Sequence, residues 1–375
     1  MTKVGLIAAV LGIVALVIYF QKDALIKQAL KPRVTPTTSE ESTGPEVVAD
    51  NLNIPWEIRW LPDGRMLVTE RPGRLLIIGP LTDAQDRQVI EVGGVVHAGE
   101  GGLLGLALHP NFTANNQIYL YLTAREGDQL VNRVERYQLE GNTLINRQVI
   151  VEGILGNSNH DGGRLDFGPD GKLYISTGDA QEQDLAQDTT SLNGKILRVN
   201  ADGSNLEVYS YGHRNVQGLA WDSQGRLWAT EHGPSGTASG FDEINLIVPG
   251  ANYGWPNIQG DETQPGMITP AMQSGADDTW APAGMVIIGP PAGEAGNRLF
   301  FTGLRGATLY EAEINGGNLV NLKRHLTNQF GRLRALRLGP DNNLYLSTSN
   351  RDGRGTINLG DDKIIRLSFD TVLGQ

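Results

Sequence analysis

The stretch Phe167-Gly168-Pro169-Asp170-Gly171-Lys172-Leu173-Tyr174-Ile175-Ser176-Thr177 decides the fold. An apolar residue leads into a turn where Pro presets one dihedral and Gly accepts the positive one, and a second apolar run then ends in hydroxyl residues. The signature returns at Trp60-Leu61-Pro62-Asp63-Gly64-Arg65-Met66-Leu67-Val68-Thr69, again from Trp221 through Ser223 and Gly225 to Thr230, and from Leu338 through Pro340 and Asp341 to Thr348. A weaker copy is Leu108-His109-Pro110-Asn111-Phe112, followed by Gln117-Ile118-Tyr119-Leu120-Tyr121. Counted from Pro62 through Pro110, Pro169 and Ser223 to Pro340, the turns lie about 48, 59, 54 and 117 residues apart, against ~40–50 for propeller blades. The last interval holds two blades. The hidden one is expected at Asn297-Arg298-Leu299-Phe300-Phe301 and Ala307-Thr308-Leu309-Tyr310-Glu311-Ala312-Glu313-Ile314, its turn replaced by Thr302 to Gly306. The expectation is an all-β chain folded as a six-bladed β-propeller. A pair of β-sandwich domains, the rival architecture, does not require such regular self-similarity.

Composition agrees. The 375 residues contain 48 glycines and 18 prolines, with only 19% charged residues, which describes a turn-rich chain with few long helices. A net charge of −11 argues against nucleic acid as a partner, because phosphate binding needs clustered Lys and Arg. An anionic small ligand stays open if the basic residues gather locally. Without cysteine there is no disulfide framework, no Cys-ligated zinc and no thiol nucleophile.

From Val4 to Phe20 the chain is apolar and uncharged for about 17 residues, the short limit for a membrane-spanning helix. Residues 1–21 are read as an N-terminal anchor helix or uncleaved signal, 22–46 as a linker rich in Pro, Thr, Ser and Glu, and 47–375 as the propeller. Lys22, Lys27, Lys31 and Arg33 follow the apolar segment, which the positive-inside rule reads as C-terminus inside. Large domains translocate whatever their charge, so the expected location is extracytoplasmic, on the periplasmic side, or secreted if the segment is cleaved.

Candidate chemistry gathers in polar loops. His160, in Asn157-Ser158-Asn159-His160-Asp161-Gly162-Gly163-Arg164-Leu165, is placed as a general base just before a strand. A turn-stabilising surface histidine is the plainer reading. Arg214 and Asn215 lie in another loop leading into a blade, Arg305 in the irregular turn of the hidden blade, and Arg332 and Arg334 on one side of an extended segment. At equivalent positions of a radially symmetric fold these arginines would converge on the axis. Such a pocket suits a planar, multiply anionic ligand. Glu231-His232-Gly233-Pro234, Asp242-Glu243-Ile244-Asn245 and Ala251-Asn252-Tyr253-Gly254-Trp255-Pro256 bring together carboxylates and carbonyls, the donors a hard cation such as calcium prefers.

With Gly99-Glu100-Gly101-Gly102-Leu103-Leu104-Gly105 and His109-Pro110-Asn111-Phe112, these motifs resemble the glucose/sorbosone dehydrogenase family, in the family's order and across nearly all of Val47 to Phe369. The resemblance implies a propeller that uses pyrroloquinoline quinone (PQQ) and calcium to oxidise aldose sugars at the anomeric carbon to lactones, with electrons leaving to an unidentified acceptor. It implies His160 as catalytic base and Arg214 as the group that, with calcium, polarises the quinone carbonyl. Glu100, Arg214, Asn215, Arg305, Arg332 and Arg334 would contact the cofactor. Gly233 and Pro234 would give carbonyls to the catalytic calcium, and Glu243 and Tyr253 would bind a second, structural ion. Three positions depart from the family: Glu100 and His232 stand where glutamine is frequent, and Asn159 where aspartate is common. A carboxylate at Glu100 would repel an anionic quinone unless protonated or paired with an arginine or calcium. Two other functions compete on the same fold, a calcium-dependent lactonase and a non-enzymatic ectodomain binding a glycan or protein.

Overall fold

The computed structural model describes residues 44–80, 86–234, 239–289 and 296–369; the expected anchor and nearly all of the linker lie outside them. Six antiparallel sheets of four strands follow one another. In five of them the strands run in simple chain order, as a meander, so each blade is assembled from a local stretch of sequence. The first strands of the blades are Pro55–Trp60, Leu103–Leu108, Leu165–Phe167, Val216–Trp221, Pro282–Ile288 and Leu333–Leu338. These inner strands approach so closely that side chains are excluded at some positions. A Cβ on Gly105 would meet the Gly163 carbonyl at 2.1 Å, and one on Gly218 the Ala283 carbonyl at 2.4 Å.

The sixth sheet closes the ring. Its outer strand is Glu46–Ala49, paired antiparallel with Ile364–Leu367 through Glu46↔Arg366 and Val47↔Ile365, so the two ends of the described chain share one blade. This closing strand starts one residue before Val47, where the propeller was expected to begin. Apolar side chains of neighbouring blades fill the spaces between sheets, as where Leu104, Tyr121 and Ile154 pack with Leu165, Ile175 and Leu197.

The hydroxyl residue that ends each sequence copy has a structural reason. Thr69 Oγ1 donates to the Leu104 carbonyl at 2.6 Å, Ser176 Oγ to Val216 at 2.9 Å and Thr230 Oγ1 to Ala283 at 2.7 Å. Thr302 Oγ1 donates to Arg334 at 2.6 Å and Ser347 Oγ to Pro55 at 3.1 Å, while the Tyr121 phenol serves blade 2 by donating to Asp161 at 2.7 Å. Each bond runs from one blade to the next, so the ring is stapled all the way round. A buried bond of this kind contributes about 0.5–1.5 kcal/mol.

One sequence expectation needs correcting. In blade 5 the segment 302–306 does not replace the Pro-Asp-Gly turn, because it joins the second strand, Asn297–Gly303, to the third, Thr308–Asn315. The equivalent connection is the one between the first strand, which ends at Ile288, and the second, which starts at Asn297. There the sequence uses Gly and Pro without the Asp-Gly pair of the copies at Pro62 and Pro169.

The middle of the ring is charged. Glu57 accepts from Arg337 at 2.8 and 2.6 Å and from Arg164, and Asp166 accepts from Arg59 at 2.9 Å and Arg337 at 3.1 Å. These residues come from blades 1, 3 and 6, which are not all neighbours, so they meet only at the centre. Burial alone would raise the Glu57 carboxyl, yet Arg164 and Arg337 hold it well below the usual range.

Candidate active site

Two sets of loops gather at one mouth of the ring: those that join the second strand of a blade to its third, and those that enter the first strand of a blade. They enclose a cavity of about 400 Å³ whose wall includes Glu100, His160, Arg214, Gly233, Pro234, Arg305 and Arg332. A smaller void shares Glu100 and His232 with it and adds Arg334. A third shares Arg214, Gly233 and Pro234 and is lined also by Glu231, Glu243 and Tyr253. The expected convergence is therefore present, with Arg334 below the main cavity and Glu243 and Tyr253 beside it. Asn215 is fully buried and is not part of any of these walls.

His160 and Arg214 occupy equivalent places in consecutive copies, His160 four residues before Arg164 and Arg214 four before Gly218. That equivalence makes them neighbours across a blade boundary. His160 has a positive φ of 62°, a conformation that costs energy for a residue with a Cβ. Two contacts hold it there: its carbonyl accepts from Ala180 N at 3.2 Å, and Gly178 packs so close that a Cβ would lie 1.8 Å from that carbonyl oxygen.

The imidazole is clamped on both nitrogens. Nε2 lies 2.9 Å from Arg214 Nη2, and Nδ1 lies 2.7 Å from Asp179 Oδ1. A guanidinium can only donate, so Nε2 is the acceptor, and Nδ1 carries the proton and donates it to Asp179. Asp179 accepts two further bonds, from Gln181 N at 2.8 Å and Trp255 Nε1 at 2.8 Å. The tautomer thus puts the basic lone pair on the nitrogen that faces Arg214, a cavity-wall residue.

Glu100 is not left to repel an anion. Arg354, in the loop that follows the second strand of blade 6, Leu344–Thr348, pairs with its carboxylate and donates to Asn159 Oδ1 at 2.7 Å. Burial would raise the Glu100 carboxyl, but Arg354 and then His232 outweigh it and bring it to about 2. Two of the three departures from the family, Glu100 and Asn159, are therefore joined by one arginine. The third, His232, is pushed down to about 3, chiefly by burial, and its Nε2 has no partner.

The remaining cations differ in commitment. Arg332 Nε donates to Asp352 Oδ2 at 2.8 Å. Arg334 donates through Nη1 to Gln217 Oε1 at 3.0 Å, but its buried Nε has no acceptor, and burial with the nearby Arg71 lowers it to about 9. The Asn215 Oδ1 already accepts from Gly162 N at 3.0 Å and Gln217 Nε2 at 3.1 Å, so its amide orientation is fixed, leaving a buried Nδ2 without a partner.

Beside the cavity, Glu243 is pushed up to about 8 by burial and then by the charge of Glu231. The Tyr253 hydroxyl donates to the Leu246 carbonyl at 2.6 Å and accepts from Val248 N at 2.8 Å. It is fully engaged with backbone, so the hydroxyl is not available as a metal ligand.

Sequence reading missed Asp179, Arg354 and Trp255 as site residues. Asp179 was within reach. It stands three residues after Ser176, as Gly233 does after Thr230 and Arg305 after Thr302, and those two were singled out. Arg354 lies in a loop of the last blade whose pairing with Glu100, 254 residues away, has no local signature.

The profile of the glucose/sorbosone dehydrogenase family matches residues 52–359. The chain belongs to that family. An aldose sugar dehydrogenase of Escherichia coli K12, YliI, is 30% identical over 350 residues, covering 82% of this chain and 90% of that protein. Quinoprotein glucose dehydrogenase B of Acinetobacter calcoaceticus is 33% identical over 272 residues, 62% of this chain and 56% of its own length. The solved structure of the PQQ-bound form of aldose sugar dehydrogenase from Streptomyces coelicolor superimposes with a TM-score of 0.77 at 37% identity, covering 86% of this chain and 96% of that one.

Proposed function

We propose that this protein is a PQQ- and calcium-dependent dehydrogenase that oxidises aldose sugars at the anomeric carbon to lactones. The observation that carries the reading is the His160–Asp179 pair at the edge of a cation-rich cavity, with a base nitrogen whose tautomer is fixed. The cavity and the void that shares its wall fit an anionic cofactor on their own evidence: Arg334 Nε and His232 Nε2 are buried there with nothing to bind. Groups of this kind cost about 1–3 kcal/mol each when left unpaired, so a ligand that engages them is held strongly. Arg214, Arg305, Arg332 and Arg334 would hold its carboxylates and quinone oxygens, with Glu100 kept harmless by Arg354.

For calcium, the fit rests on donor chemistry. Gly233 and Pro234 share the walls of two voids, and the second also presents Glu231 and Glu243, whose mutual repulsion a cation would relieve. Among the described residues no group of three or more His, Cys, Asp or Glu side chains is set to hold a metal, so backbone carbonyls such as those of Gly233, Pro234 and Tyr253 must contribute.

When bound, PQQ supplies an electron-poor quinone carbon that accepts hydride, and calcium a charge that draws electron density toward the quinone oxygen. The chain supplies the proton path. His160 Nε2 takes the proton of the anomeric hydroxyl, and Asp179 stabilises the imidazolium through Nδ1. Arg214 must first leave Nε2, because its donation occupies the lone pair that accepts the proton.

A lactonase of the propeller type needs free carboxylates at the axis. Here Glu57 and Asp166 are held by Arg59, Arg164 and Arg337. The same reading puts the propeller on the extracytoplasmic side of a membrane, tethered through residues 4–20 or released by cleavage. Among the described residues no helix is long and apolar enough to cross a membrane.

The test is a PQQ titration of the calcium-loaded protein, followed by tryptophan quenching, for wild type and Arg334→Ala. Losing charge-assisted bonds costs about 1.5–3 kcal/mol, so Arg334→Ala weakens binding by roughly ten- to a hundredfold. Equal affinity in the two proteins places the quinone elsewhere.

A further inference from the structure

The two oxygens of Asp179 face different donors. Oδ1 accepts from His160 Nδ1 at 2.7 Å and Gln181 N at 2.8 Å, whereas Oδ2 accepts from the Trp255 indole at 2.8 Å. The same indole lies 5.4 Å from the Arg214 guanidinium, which donates to His160 Nε2. One side chain therefore touches the partner of each imidazole nitrogen. Trp255 reaches this place from the long connection before Met272–Gln273, the outer strand of blade 4, and its backbone is anchored independently of its ring. Trp255 N donates to the Gly212 carbonyl at 2.9 Å, and its own carbonyl accepts from Gln187 Nε2 at 2.6 Å.

We propose that Trp255 is a positioning residue for His160: its indole N–H draws charge from Asp179 and so sets how firmly the imidazole keeps a second proton, and with it the pH at which the base becomes active. The proposal rests on the dehydrogenase reading for its catalytic meaning, though not for its geometry. A carboxylate that accepts an additional hydrogen bond has less negative charge to offer an imidazolium. Removing the indole donor leaves Asp179 a stronger partner for protonated His160, so the imidazole holds its proton to higher pH. Arg214 acts in the opposite sense, because a cation at Nε2 opposes protonation. Glu100, which accepts from His160 N at 3.1 Å, and Asp161 and His232, which sense its charge, are the other titratable groups around the ring. They are the same in wild type and variant.

The experiment uses Trp255→Phe, which keeps an aromatic ring near Arg214 and removes the donor together with part of the ring volume. Two readouts are compared with wild type: the His160 imidazole titration followed by NMR in calcium-loaded protein without PQQ, and the pH profile of kcat/KM for an aldose with PQQ added. The expected result is an upward shift of the His160 midpoint by about 0.5–1 pH unit, mirrored in the acid limb of the profile. If the phenylalanine variant does not fold, 3-benzothienylalanine at position 255 keeps the bicyclic shape without the N–H and gives the same expectation. An unchanged midpoint in a folded variant overturns the positioning role. A shifted midpoint in a protein whose wild type oxidises no aldose upholds the role and refutes the dehydrogenase reading.

Discussion

His160→Ala is expected to lower aldose oxidation by about 10²–10⁴-fold while leaving PQQ affinity nearly unchanged. The imidazole is the one group at the cavity edge with a basic nitrogen whose other nitrogen is tied to a carboxylate, the arrangement that lets a histidine take a proton and keep the charge stabilised. On the proposed reading cofactor binding rests instead on Arg214, Arg305, Arg332 and Arg334, which the substitution leaves in place. His232 was the rival base, being beside the carbonyls proposed for calcium. Burial pushes it down to about 3, so near neutral pH it is a poor proton acceptor. His97 is lowered as well, by burial and by Arg71, and is not on the cavity wall. His232→Ala should therefore keep most of the turnover and the shape of the pH profile. Activity that survives His160→Ala and disappears in His232→Ala would reassign the base.

Glu57→Gln is expected to cost about 3–5 kcal/mol of stability near neutral pH. The variant leaves Arg164 and Arg337 facing each other at the centre of the ring with only Asp166 to compensate, and both guanidiniums are buried. The effect has a signed pH dependence. The folded Glu57 carboxyl is held below its ordinary value of 4.5, so its contribution is complete above that value and declines as the pH falls through it toward the folded one. The difference between wild type and variant should be largest near neutral pH and shrink on acidification below about 4.5. Denaturant unfolding at several pH values measures it. A variant as stable as wild type at pH 7 would mean that the central network contributes nothing.

What could be read from the sequence follows from how local each feature is. The Pro-Asp-Gly turns at Pro62 and Pro169 and the Pro-Asp-Asn turn at Pro340 specify their own hairpins, and so the blade count was legible. In blade 5 the turn chemistry is different, and the count survived only because Leu299, Phe300 and Phe301 still read as a strand. The terminal Thr or Ser was visible as a pattern, but not its purpose, because the carbonyl it reaches belongs to the next blade. Glu57, Arg59, Arg164 and Arg337 look like ordinary charges on strands, and only ring closure brings them together. At the site, loop residues next to Gly-rich motifs stood out, His160 and Arg214 above all. Trp255 and Arg354 acquire their roles through partners 76 and 254 residues away. For Tyr253, the resemblance implied a ligand without telling side chain from backbone, and the bonds of the hydroxyl to Leu246 and Val248 occupy the side chain.

The central claim is tested most directly by loading the purified protein with PQQ and calcium, supplying aldoses with an artificial dye acceptor, and identifying the sugar product. The account predicts dye reduction that requires both PQQ and calcium, with the lactone, or the aldonic acid it hydrolyses to, formed in step with the dye reduced. Fully loaded protein that reduces no dye with any aldose would contradict it and leave the propeller a binding ectodomain.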